Sequence, residues 1–130
     1  MRRRFGDRGE TSIETVLLFP IVLMILFAGV HVGALSRAGQ VAGVAAFRGA
    51  QIAAAGDGSA VDRVTTLEEI DRVIVELGAH ASSAPRIQVG ERSVAVSVSV
   101  DVERIVPFLP VSATRRVNMA REVFIKENDR

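Results

Sequence analysis

An uncharged apolar run near the N-terminus constrains the fold of this chain more than any other feature. No Asp, Glu, Lys or Arg occurs among residues 15–36. As an α-helix rising ~1.5 Å per residue, the run is about 33 Å long, enough to cross a hydrocarbon core of ~30 Å. A chain of 130 residues holds too little other material to bury every face of such a helix. The run therefore predicts one membrane span.

The residues flanking the run predict its orientation. Four arginines and one aspartate precede Gly9, namely Arg2, Arg3, Arg4, Arg8 and Asp7. Lys and Arg concentrate on the cytoplasmic side of membrane spans. We therefore expect a cytoplasmic N-terminus, with everything after Ser36 outside. Within the span, Pro20 predicts a kink, which membrane helices tolerate. His31 is interpreted as a structural residue that meets interfacial water.

The helical pattern continues beyond the span, because the alanine-rich residues 37–55 contain only two charges, Arg37 and Arg48. One helix is predicted from about Ile13 to Ala55. Small residues recur four apart along it, at Gly29 and Gly33, Gly39 and Gly43, and Ala42, Ala46 and Ala50. Such spacing lets another backbone approach, either from the chain's own domain or from a neighbouring copy. High alanine content alone also favours a helix.

The remaining residues predict a small α+β headpiece. Residues 56–63, with two glycines and two aspartates, are expected to form a surface loop. Thr66 and Glu69 form a capping-box pattern before an amphipathic helix that ends near Gly78. His80 follows this helix without a second metal-ligand candidate.

Alternating residues then predict three strands. The clearest signal is Val94, Val96, Val98, Val100 and Val102, alternating with small or charged residues and ended by "PFLP" at Pro107. A short strand, Arg86–Val89, precedes it through a hairpin with Gly90 in the turn. A third alternating strand is predicted over residues 117–125, followed by a charged tail.

Composition argues against two classes of function, cysteine-based chemistry and nucleic-acid binding. The chain has no Cys, and its net charge of +1 does not suit a nucleic-acid footprint. Asp101 and Glu103 lie two apart on a strand and resemble a carboxylate pair, but a solvated sheet face explains them better. We predict no catalytic residue, cofactor or metal site.

The resulting plan resembles the type IV pilins and pseudopilins: a basic leader (1–9), a membrane span (10–36), a helical extension (37–55) and a headpiece (56–130). In that superfamily a prepilin peptidase cuts after a glycine, and a glutamate is fifth in the mature chain. Gly9, Glu10 and Glu14 match that spacing.

Two stretches, "SIETVLLFPIVLMILF" and "VAAFRGAQIAAA", resemble TadE-like proteins, pseudopilins of the tight-adherence (Flp pilus) system. Thr15 departs from the aromatic residue that Flp-type prepilins often carry after the glutamate. The resemblance implies a single-pass membrane protein that is cut by a prepilin peptidase. Its implied partners are other pilins and pseudopilins, the pilus assembly platform and the lipid bilayer. Helix packing and assembly are expected to involve Glu14, Pro20, Gly29, Gly33, Gly39 and Gly43.

Glu14 has two physical interpretations. A carboxylate at the membrane mouth is costly unless it is paired, and the new α-amine of a neighbouring subunit is a suitable partner. The alternative is a headgroup position, stabilised by the N-terminal end of the helix dipole.

Two other classes of protein also remain as interpretations of the whole sequence. One is a single-pass signal-anchored or secreted binding protein unrelated to pili, for which Val32 to Ala34 offers a signal-peptidase site. The other is a membrane-tethered enzyme.

Overall fold

The structure, a computed structural model, describes the backbone of residues 7–121 and the side chains of residues 12–121. Its elements in chain order are α1 (Asp7–Ala55), α2 (Ala60–Glu76), β1 (Arg86–Val89), β2 (Ser93–Asp101) and β3 (Ser112–Ala120). The strands form one antiparallel sheet in the order β1-β2-β3. The predicted α+β class is confirmed, with its long apolar helix, second helix and three-stranded antiparallel sheet.

The C-terminal half of α1 is one wall of the headpiece core. The helix ends at Ala55 as predicted, continues through Pro20 and begins at Asp7, earlier than expected. Its core-facing side is built almost wholly of small residues, which let the sheet and α2 lie close to the α1 backbone. The buried members are Ala38, Val41, Ala42, Ala45, Ala46, Ala50 and Ala53.

The sheet covers these alanines with the predicted valine face. All five alternating valines from Val94 to Val102 are buried, so that prediction is confirmed. In β3, Val117 pairs with Val96 and Met119 with Val94, which places both on the same face of the sheet. At the β1–β2 hairpin, the Gly90 amide donates to the Ser93 carbonyl at 2.8 Å.

Two predicted strand boundaries are wrong. β2 ends at Asp101 instead of Pro107, because the Val102 amide donates to the Val111 carbonyl at 2.7 Å and closes a loop. We call residues 102–111 the β2–β3 loop. Prolines without amide protons suit such a connection better than a ladder. β3 consequently begins at Ser112, five residues before the predicted start, and ends at Ala120. The predicted portion after residue 121 lies outside the described residues.

The start of α2 also differs from the prediction. Ser59 is the N-cap, with an extended backbone and a side chain that accepts from the Asp62 amide. The second half of the predicted loop is therefore helical. Thr66 lies inside the helix, fully buried, and its hydroxyl donates to the Asp62 carbonyl at 2.7 Å. The end was predicted correctly: α2 stops at Glu76, and Gly78 follows with a φ of 69°.

Candidate functional site

The entry of α1 holds the three residues of the predicted processing motif. Gly9 and Glu10 lie in the first turn of the helix, at its third and fourth positions. Glu14 lies one turn further along, and its side chain is exposed. Both ion pairs found among residues 12–121 are on α2, so Glu14 takes part in neither. Its carboxylate therefore has no ion-pair partner among the described side chains.

The apolar run after Glu14 is not covered by the headpiece. From Ile13 to Val30 its large side chains are mostly exposed, with Phe19 at 63% and Ile25 at 68%. Among the described residues, α1 is the one helix long and apolar enough to cross a membrane. A fully exposed apolar helix of this length is unstable in water and suits lipid. The geometry therefore fits a single-pass membrane protein.

The four glycines predicted to pack helices fall into two pairs. A Cβ on Gly29 or Gly33 would meet nothing within 4 Å, so both backbones are open to another helix. Gly39 is buried, and a Cβ there would lie 3.0 Å from the Arg115 guanidinium. Gly43 faces the same side chain at 3.9 Å. This second pair therefore accommodates the chain's own β3.

The open glycines belong to a stripe on the side of α1 that faces away from the headpiece. At 3.6 residues per turn its members lie within about 60° around the helix axis. We call it the outward stripe; its residues are Gly29, Gly33, Gln40, Val44 and Phe47, all of them exposed. Val44 and Phe47 are each 48% exposed, although they lie beyond the predicted span. An apolar strip that continues past the membrane suits contact with another protein.

His31 joins the outer end of the span to the headpiece. Its side chain is fully buried, and Nε2 lies 2.8 Å from the carbonyl oxygen of Pro110. Because a carbonyl only accepts, Nε2 carries the proton and donates. The prediction that His31 meets interfacial water is therefore wrong: the β2–β3 loop folds back over it. Nδ1 is buried and has no hydrogen-bond partner among the described residues.

The predicted carboxylate pair does not form a catalytic cluster. Asp101 is the last residue of β2 and Glu103 follows in the loop, both exposed. They line a shallow hollow with His80. In the part of the chain that the structure describes, no group of three or more His, Cys, Asp or Glu side chains is placed to hold a metal ion.

A comparison with models of protein families shows which family the long helix resembles. Residues 9–51 match the model described as TadE-like protein. This segment is TadE-like. The match begins at Gly9 and covers 43 of the 130 residues, nearly all of α1. The match supports the resemblance of this helix to the pseudopilins associated with the tight-adherence pilus.

The other comparisons add no relative to this TadE-like segment. The search of curated proteins found no match, and the search of solved structures found none either.

Two important residues of the TadE-like segment were missed or misread from the sequence. A Cβ on Gly49 would lie 2.6 Å from Cδ1 of Ile70, so any other residue here forces the Ile70 side chain of α2 to shift. His31 lies seven residues before Ala38, on the face that becomes buried. That i, i+7 spacing was a usable signal for burial of the imidazole.

Proposed function

We propose that this chain is a pseudopilin that takes part in assembly of a tight-adherence pilus after cleavage by a prepilin peptidase between Gly9 and Glu10. The arginine leader stays in the cytoplasm, residues 10–36 span the membrane, residues 37–55 carry the helix outward, and residues 56–130 form the headpiece outside. Its partners are the peptidase, other pilins and pseudopilins, the assembly platform and lipid. The observation that carries the proposal is the TadE-like match, which starts at Gly9 and follows the exposed apolar helix.

The leader before the proposed cut differs sharply in charge from the span that follows it. It holds four arginines and Asp7, whereas residues 15–36 hold no charged residue. The four arginines on the leader favour its retention on the cytoplasmic side.

Cleavage creates the partner proposed for Glu14. The new α-amine on Glu10 lies one helical turn from Glu14 of the same chain, about 6 Å along the axis. When parallel helices bundle with an axial offset of about one turn, the amine of one subunit comes level with Glu14 of the next. An ion pair is far more stable in this setting than an isolated carboxylate at the lipid boundary. Glu14 thereby selects one register between subunits.

The outward stripe supplies the remaining contact. Its two glycines allow close backbone approach inside the membrane, where helices associate through packing and not through hydrophobic burial. Outside the membrane, the exposed Val44 and Phe47 give an apolar surface on the same side. Gly39 and Gly43 are left out of this contact, because Arg115 lies over them.

Mass spectrometry of the mature chain is the primary test. We expect an N-terminus at Glu10 in cells with an active prepilin peptidase, and an uncut chain for Gly9→Ala. A mature start after Ala34, or no cleavage of the unmodified chain, would instead point to a signal-anchored or secreted protein unrelated to pili.

The test of Glu14 must separate a specific ion pair between subunits from a general effect of negative charge at the membrane surface. Glu14→Gln and Glu10→Gln each remove one carboxylate from the same end of α1, four residues apart. Both variants should insert and be cut after Gly9. Only Glu14→Gln should lose pili and intersubunit crosslinks, because Glu10→Gln keeps the α-amine and its partner.

A single cysteine reports those crosslinks cleanly, because the chain has none. Val44→Cys places it on the outward stripe, and Val61→Cys places it on the exposed side of α2 as the control. Oxidation should link copies or other cysteine-bearing subunits through position 44 and not through position 61. Equal crosslinking and equal piliation in both glutamine variants would leave Glu14 as a headgroup-level residue and refute the register role.

A further inference from the structure

We propose that the tip of the β2–β3 loop, residues 105–109, inserts into the outer lipid leaflet beside the span and sets the height of the headpiece above the membrane. This inference depends on the membrane span and not on the proposed pilus role. We call residues 105–109 the loop tip. Its exposed surface is formed by Ile105, Pro107 and Phe108.

The His31–Pro110 hydrogen bond fixes the depth of the loop. His31 lies six residues before Arg37, the first charged residue after the apolar run. At ~1.5 Å per residue this distance is about 9 Å along the helix. Interfacial elements bury their apolar face ~5–10 Å below the headgroups. The loop is thus held at the depth where the boundary between headgroups and acyl chains is expected.

The composition of the loop suits that depth. Residues 105–111 read "IVPFLPV" and contain no charged or hydrogen-bonding side chain. Val106 packs inward and is buried, whereas Phe108 is 72% exposed and Ile105 is 38% exposed. Phe108 is more exposed than any other phenylalanine with a described side chain. An exposed aromatic residue held beside a span is placed to enter the lipid interface.

Part of the loop backbone is already paired within the protein. Pro107 and Pro110 have no amide proton to satisfy. The Leu109 amide donates to the Val106 carbonyl at 3.3 Å, and the Pro110 carbonyl accepts from His31 at 2.8 Å. The other amides and carbonyls of residues 105–109 have no backbone partner among the described residues, and unpaired groups are costly in the hydrocarbon core. The tip therefore suits the interface, where headgroups and water satisfy these groups, and not the centre of the bilayer.

Charged residues mark the level just above the tip. Arg104 precedes the loop tip in sequence and is exposed. It lines a hollow with Asp101 and Glu103, and Arg37 lines the adjoining hollow with the same two carboxylates. Basic side chains at this height suit lipid phosphates, which carry negative charge. Along the molecule, the apolar span is followed by the apolar loop tip and then by these charged residues. The same change from apolar to charged groups occurs across a membrane surface.

Lipid is a better occupant for the tip than a second copy of the chain. The His31–Pro110 hydrogen bond holds the loop to the outer end of α1, and most of the large apolar side chains of α1 from Val30 back to Ile13 are exposed. Lipid that covers the span therefore extends naturally over the loop tip. A protein partner would have to displace that lipid, and no charged residue in the tip offers it a complementary group.

Tryptophan fluorescence tests the insertion directly in the full-length chain. The sequence contains no Trp and no Tyr, so one introduced tryptophan is the sole reporter. Phe108→Trp is compared with Val61→Trp at the start of α2, because the two native side chains are 72% and 73% exposed. Both variants are reconstituted in phosphatidylcholine vesicles with and without brominated acyl chains, and circular dichroism verifies equal folding.

We expect the tryptophan at position 108 to emit at shorter wavelength, to lose most of its emission to brominated lipid and to resist acrylamide. At position 61 the emission should remain water-like, insensitive to bromine and quenched by acrylamide. Equal behaviour at the two positions would overturn the proposal. So would a blue-shifted signal at position 108 that ignores bromine but changes with the protein-to-lipid ratio, because that result assigns the tip to a second copy. Failure of N-terminal processing would leave either result unchanged, so the two proposals fail separately.

Discussion

Ile70 of α2 lies directly over Gly49 of α1, so closely that a Cβ at Gly49 would be 2.6 Å from Ile70 Cδ1 and 2.7 Å from Cγ1. Ile70 is fully buried, so a shift of its side chain would disturb neighbouring core residues. The crossing of the two helices depends on the missing side chain. The absence of a side chain at Gly49 thus sets the distance between α1 and α2.

Gly49→Ala should therefore destabilise the headpiece, although alanine favours helices. The gain in helix propensity is ~1 kcal/mol, whereas overpacking a core costs ~1–3 kcal/mol. The net loss is therefore up to about 2 kcal/mol. Relative to Gly43→Ala, which gains the same helix propensity, we expect Gly49→Ala to be less stable by about 1–3 kcal/mol, measured by thermal unfolding of the full chain in detergent. Gly43→Ala is the matched control, since its Cβ would only meet Arg115 Cγ at 3.9 Å. A Gly49→Ala variant as stable as Gly43→Ala would disprove the close packing.

Val96→Asp should unfold the headpiece or lower its unfolding midpoint strongly. Val96 is fully buried in the core between the sheet and α1, and its cross-strand neighbours are Ile87 and Val117. An unpaired buried carboxylate costs several kcal/mol. Ser97→Asp is the control on the opposite face, where Ser97 pairs with Arg116 across the strands. That variant should keep its stability. Circular dichroism in detergent measures both, and similar midpoints would contradict the assigned faces of β2.

Stability should fall at acid pH through the turn before α2. Oδ1 of Asp57 accepts the Ser59 amide at 2.7 Å, and this hydrogen bond, helped by hydrogen bonding with Asp62, lowers the pKa of the Asp57 carboxyl below its usual 3.8. A carboxyl with a lowered pKa stabilises the fold above its unfolded-state value and loses that contribution as the pH falls through its folded-state value.

Asp57→Ala should therefore reduce stability at neutral pH and reduce its dependence on pH below about 3.8. Asp71→Ala is the control on the exposed side of α2, where Asp71 makes no hydrogen bond or ion pair among the described residues. Unfolding midpoints between neutral and acid pH make the comparison. Parallel pH profiles for the unmodified chain and the Asp57→Ala variant would exclude the contribution.

His31→Leu should release the β2–β3 loop from α1. The substitution removes the donor to Pro110 and leaves a carbonyl without its partner, a loss worth ~1–3 kcal/mol. The Val102 and Leu109 amides, which donate within the loop, should exchange hydrogen faster. His80→Leu, at an exposed position outside the loop, should leave both rates unchanged. In the unmodified chain, nitrogen chemical shifts should place the His31 proton on Nε2.

Local pattern was sufficient for the main elements of this protein. The uncharged run from Thr15 to Ser36 and the alanines after it specify one long helix, because Pro20 is the one strong helix breaker within them and membrane helices tolerate proline. Strict alternation over Val94–Val102 specifies a strand with one buried face. The end of α2 was also predictable, since Gly78 adopts a positive φ that other residues avoid.

Only the tertiary structure decided which of two possible N-caps starts α2 and which glycines of α1 pack against another element. Ser59 and Thr66 are both suitable N-caps, and the choice depends on Asp62, whose carboxylate also accepts the Asp57 and Gly58 amides. Likewise, the glycines of α1 look alike in sequence, yet Arg115 covers Gly39 and Ile70 covers Gly49, while Gly33 stays open.

His31 illustrates the same limit. Its neighbours along the chain are those of a membrane span, but its hydrogen-bond partner is Pro110, 79 residues away. Sequence periodicity describes the faces of one element, whereas burial depends on what another element brings to that face. The apolar helix and the valine sheet were therefore determined locally, and the contact between the loop and the span arose only from folding.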